Sequence, residues 1–138
     1  MTRWILRIGY VAIVAVVILS AIAIYQGIVA ARHGKETLQA TLLVVDLIKQ
    51  HVETHDGAWP GSWADLEKIT PPRSSIYEWP ADLQQVQQRV EVDFAADPRQ
   101  IAQQTPEEFK AVLPIGYYYT YKDKGSVQAL IDAVGEHQ

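Results

Sequence analysis

Cysteine is absent, which excludes disulfides, thiolate zinc sites and thiol catalysis, although it does not identify the compartment. Positive charge is also scarce: 12 Lys and Arg stand against 16 Asp and Glu. No basic run goes beyond Arg32-His33-Gly34-Lys35. Phosphate recognition needs clustered cations, so no nucleic-acid partner is expected, and this short run suits lipid headgroups instead. There is no Gly-rich phosphate loop. Ser62, Ser74, Ser75 and Ser126 lack the context of a nucleophile elbow. No cofactor and no enzyme activity are expected. Between Arg7 and Arg32, charge of either sign is missing altogether.

That uncharged stretch, Ile8 to Ala31, is the strongest signal in the chain. About 24 residues at ~1.5 Å each make a helix near 36 Å, enough to cross a hydrocarbon core of ~30 Å with some tilt. Trp4, Tyr10 and Tyr25 lie toward its ends, where amphipathic rings favour the headgroup zone. A cleavable secretory signal is the competing reading, with Ala21-Ile22-Ala23 as its small-residue site. The apolar character continues through Ile24 and Gly27-Ile28-Val29-Ala30-Ala31, which a removed signal does not require. The sequence thus predicts a tail over 1–7, a single-pass signal-anchor over 8–31 and a soluble domain over 32–138. Arg3 and Arg7 precede the anchor while Arg32 and Lys35 follow it, a nearly balanced count. The expected placement is the inner membrane, with the C-terminal domain outside the cytoplasm.

About 100 residues remain for one compact domain. Leu38, Leu42, Val45, Ile48 and Val52 step at the spacing of one helical face, opposite Gln39, Asp46, Gln50 and Glu53. No proline separates them from the anchor, so residues 36–55 are read as a continuation of the same helix, stopped at Asp56-Gly57. Lateral association is expected through Leu42 and Val45. Pro60-Gly61 makes a turn, and Ser62 with Asp65 makes a capping box for a short helix. Asp82-Leu83 opens another short helical run. Val90, Val92 and Phe94 alternate with Glu91 and Asp93 as a half-buried strand, which makes those carboxylates a solvated face rather than a catalytic pair. Thr105-Pro106-Glu107-Glu108 reads as a helix start closed by Pro114, and Ile115 to Lys122 as a strand. Residues 126–134 fit either a helix or a strand, with helix preferred.

The order of these elements resembles type IV pilins and type II secretion pseudopilins. The likeness rests most closely on His55-Asp56-Gly57-Ala58-Trp59-Pro60 followed by Ser62-Trp63-Ala64-Asp65-Leu66. It implies an α+β fold in which a long N-terminal helix, membrane-spanning in its first half, packs on a small antiparallel sheet with short helices. Gly9-Tyr10 follows Arg7-Ile8, and Val14 stands where those families carry glutamate. The resemblance therefore implies a pilin-like fold on an uncleaved anchor rather than filament assembly. The function it implies is a pseudopilin-like structural or interaction protein of the bacterial cell envelope, with membrane lipid, other envelope proteins or its own copies as partners.

Two features invite chemistry. His51 and His55 lie four apart on one helical face, a spacing that can bind zinc, but the metalloprotease pattern needs glutamate where Val52 stands. Histidines at a helix end are expected to meet terminal carbonyls or solvent, so no metal is assigned to these weak candidates. Trp59, Trp63 and Trp79 cluster with Tyr77 in a Pro-rich stretch. Packing in the core and loops is one reading. An adaptor or ligand-binding module using these rings, with Tyr118 as a further exposed candidate, is the alternative.

Overall fold

A computed structural model describes residues 2–70, 82–116 and 124–138. They contain α1 (Thr2–Thr54), α2 (Trp63–Glu67), α3 (Leu83–Gln87), β1 (Val90–Val92), α4 (Pro98–Ile101), β2 (Val112–Pro114) and α5 (Lys124–Glu136). This is an α+β chain: a long N-terminal helix, four shorter ones and a two-stranded antiparallel sheet. Two compact units divide it, 1–34 and 35–138.

The first unit is helix alone. Every side chain from Arg7 to Val29 is exposed, including Ile8, Val11, Leu19, Ile24 and Ile28. In water such a surface is strongly unfavourable, whereas in lipid the helix satisfies its own backbone and needs only apolar side chains. Among the described residues, α1 is the one helix long and apolar enough to span a membrane, which makes it compatible with a single-pass anchor.

The second unit is built around the rest of α1. Leu42, Val45, Ile48 and Val52 are buried, as their spacing predicts. Ala40, Leu43, Val44 and Leu47 are buried too, although they lie off that face. A helix apolar nearly all round must be wrapped rather than laid on a surface. Gln39, Asp46, Gln50 and Glu53 remain half-buried or exposed, as do Lys49, Thr41 and Leu38, the last of which the spacing placed on the buried face. Leu66 of α2, Val86 of α3, Val90 of β1, Ile101 of α4, Phe109 and Leu130 of α5 join the same core. The one-faced rod of the sequence reading is thus corrected to a central helix.

Strand pairing sets Val90 against Pro114, Glu91 against Leu113 and Val92 against Val112. It extends one residue each way, with Asp93 N–H donating to Ala111 O and Ile115 N–H to Arg89 O, each at 2.8 Å. Pro114 is tolerated because a two-stranded sheet leaves each strand with a free edge. The expected helix from Thr105 to Leu113 does not form. Glu108 accepts from both the N–H and the hydroxyl of Thr105 at 3.0 Å, closing a single capped turn. Ala111 to Leu113 then gain more from pairing with β1 than from continuing a helix.

Two expectations hold. Residues 126–134 lie within α5, and Gly57 ends α1 at φ +82° with its N–H donating to Val52 O. The strand expected over 115–122 is seen only as far as the Ile115 pairing, since 117–123 lie outside the described residues.

Candidate functional site

The last turn of α1 faces α2 across the turn at Gly57 to Pro60, and a cavity of about 290 Å³ opens there. Gln50, His51, Thr54, His55, Asp65, Lys68 and Ile69 line it. Helical spacing stacks the two imidazoles, with ring centroids 4.0 Å apart and planes 14° from parallel. His55 Nδ1 lies 2.9 Å from the His51 carbonyl and 3.0 Å from the Thr54 hydroxyl. A carbonyl only accepts, so Nδ1 of His55 is the donor to it. The Thr54 hydroxyl in turn donates to Gln50 O at 2.7 Å. The Gln50 and His51 carbonyls near the end of α1 thus receive side-chain donors, while Val52 O and His55 O are met by the backbone N–H groups of Gly57 and Ala58.

His51 is different. It is only 7% exposed, and its Nδ1 is buried without a hydrogen-bond partner. Burial pushes its pKa down, the neighbouring His55 and Lys68 push the same way, and Asp65 opposes them. The Asp65 carboxylate accepts from Gly61 N–H at 3.0 Å and sits 3.5 Å from the Lys68 ammonium; these bonds hold it below the usual carboxylate range. Ser62 N-caps α2 by conformation without a side-chain bond to its backbone; its hydroxyl donates to the Asp65 carboxylate at 3.4 Å, and that carboxylate takes the Gly61 N–H one position earlier, so the expected capping box is not made.

Chemically, the pair ends the helix in two stacked imidazoles, of which His51 is the buried one. Lys68 shares the cavity lining with the two imidazoles, and Asp65 is already engaged by Gly61 N–H and the Lys68 ammonium. No group of three or more His, Cys, Asp or Glu among the described residues is placed to hold a metal.

Compared with known proteins, the chain matches no family model, no curated protein and no solved structure.

The other candidates separate clearly. Leu42 and Val45 are 7% and 2% exposed. They are corrected from an association face to the interior, because the Ala40 to Val52 segment of α1 gives its apolar side chains to the core of its own domain. Trp59 is half-buried and its indole N–H donates to Asp93 O at 2.9 Å, tying the Gly57–Pro60 turn to the end of β1. Trp63 meets Phe94 edge-on, with centroids 5.6 Å apart. Both rings are occupied in holding the fold. Trp79 and Tyr118 lie outside the described residues. Sequence reasoning missed Lys68 beside Asp65, for which their spacing of three on one helix was an available signal. It also missed the ion pair of Arg89 with Glu36, 53 positions away, for which there was none.

Proposed function

We propose that the chain is a membrane-anchored, pilin-like structural or interaction protein of the bacterial cell envelope. Ile8 to Ala31 holds it in the inner membrane, and the domain lies outside the cytoplasm. The observation that carries this reading is α1 itself: one unbroken helix whose side chains from Arg7 to Val29 are all exposed and mostly apolar and whose last part is the centre of a folded domain. A cleaved signal needs no such continuity with a core. The resemblance of His55 to Leu66 to the pseudopilin passage supports the same reading. Because Leu42 and Val45 are buried, association with envelope partners or second copies falls to the anchor or to the outer surface of the domain.

Native membranes washed with alkaline carbonate test the anchor. The full-length chain stays in the pellet, and protease added to spheroplasts removes the domain. Single cysteines scanned through Ile18 to Val29, unambiguous in a cysteine-free chain, then test association. Crosslinks recurring at helical spacing are expected. A shortened chain in the wash refutes the anchor, and crosslinks at no position refute lateral association through it.

A further inference from the structure

We infer that α2 is a latch over the end of α1, and that uptake of a proton by His51 releases it. Nothing in this depends on the anchor, since every group involved lies in the 35–138 unit.

His51 is more than nine-tenths buried, its ring is stacked 4.0 Å from that of His55, and its Nδ1 has no hydrogen-bond partner among the described residues. A neutral imidazole leaves one atom unmet in this setting. An imidazolium carries a proton on both nitrogens, so Nδ1 becomes a charged donor with no acceptor, which costs more. The charged and titratable groups facing the ring are His55 on its own helix and Asp65 and Lys68 on the α2 side. Lys68 and His55 both oppose a positive charge on His51. Asp65 is the anion among them, but its carboxylate already accepts from Gly61 N–H at 3.0 Å and lies 3.5 Å from the Lys68 ammonium. The closed corner therefore disfavours the protonated ring.

Relief comes from water, and α2 is the wall able to admit it. The opposite wall is α1, whose Ile48 and Val52 are 0% exposed in the core. By contrast α2 has five residues, no side-chain cap and Leu66 as its buried residue. A helix that short has no stability of its own. Upstream the chain is pinned as far as Pro60, which is fully buried, while the Trp59 indole bonds to Asp93 O. Gly61 follows, and a side chain there would meet only the Asp65 carboxylate, at 3.5 Å, so it has room to act as the hinge. Swinging α2 outward about Gly61 parts Trp63 from Phe94 and carries the cavity wall of Asp65, Lys68 and Ile69 off His51. In the open form the ring titrates at its ordinary 6.5, and in the closed form lower. The open form thus binds more protons, and its share grows as pH falls through 6.5. Between pH 7.5 and 5.5, one such group raises the opening constant by at most about tenfold.

Hydrogen exchange read by mass spectrometry tests this on the full chain in detergent micelles, with labelling times scaled for the chemical rate at each pH. Amides of residues 62–69, including Asp65 N–H on Ser62 O and Ile69 N–H on Leu66 O, should exchange about threefold or more faster at pH 5.5 than at 7.5. Those of β1, β2 and α5 should change by less than half as much. His51→Gln stays polar but takes no proton at these pH values, and it should abolish the rise. Lys68→Gln removes a cation that opposes the charge, and it should reduce the rise. A rise below threefold in 62–69, a rise shared equally by β1, β2 and α5, or one that persists in His51→Gln overturns the latch. Should His51→Gln exchange freely everywhere at pH 7.5, it has lost its fold, and Lys68→Gln decides instead. The Lys68 side chain is 76% exposed, so that variant keeps the core, and an undiminished rise in it overturns the latch equally.

Discussion

Leu47→Ala distinguishes an enclosed helix from one laid on a surface. Leu47 is 0% exposed, yet it lies opposite the face marked by Leu42, Val45 and Ile48. Losing three buried carbons costs about 2.4 kcal/mol at ~0.8 kcal/mol for each. A cavity walled on every side collapses poorly and adds ~24 cal/mol per Å³ left empty, bringing the total to about 3–5 kcal/mol. A domain of this size has roughly 5–15 kcal/mol in all, so the substitution removes a large share and lowers Tm by more than ~10 °C. The assay is urea unfolding of the full chain in detergent micelles, followed through tryptophan fluorescence, with Trp59 and Trp63 inside the folded domain. Glu53→Ala is the control, because its pair with Lys49 is exposed and worth no more than ~0.5 kcal/mol. If Leu47→Ala costs under ~1 kcal/mol, the helix is not enclosed.

His51 makes the domain weaker in acid. Its native pKa lies below 6.5, so below that pH the unfolded chain binds more protons and stability falls as pH falls. Urea midpoints between pH 8 and 5.5, where Asp65 stays ionised, should decline for the native chain and decline less for His51→Leu; equal slopes refute the assignment. Gly57→Ala should cost about 1–3 kcal/mol, since φ is +82° and the new Cβ meets His137 Cβ at 2.5 Å. Adding His137→Gly removes the clash but not the strain, so the double variant recovers part of the loss. A midpoint for Gly57→Ala within ~0.5 kcal/mol of the native chain contradicts the geometry.

What the sequence made legible was local. No proline interrupts the chain from Thr2 to Thr54, Gly57 can take a left-handed conformation, and Val90, Glu91 and Val92 alternate; each fact acts within a few residues, and each appears in the structure. The failures share one cause. Thr105 to Glu108 carries helix-start chemistry that serves a single turn equally well, and pairing with a strand about twenty positions earlier decides between them. Leu43, Val44 and Leu47 read as off-face because a wheel drawn from one helix has no knowledge of α2 to α5 closing around it. Likewise the histidine pair was visible at its spacing, while Asp65 and Lys68 opposite depend on how the turn at Trp59 and Pro60 redirects the chain. Those long-range contacts also change the functional argument. A helix whose Ala40 to Val52 segment gives its apolar side chains to its own core has no apolar lateral face left there for a neighbour. Apolar pairing of copies along this helix would therefore be left to its lipid part, where burying apolar area gives no advantage over acyl chains and close backbone approach decides affinity. A cysteine scan of the anchor is thus more informative about helix pairing than any substitution at Leu42 or Val45.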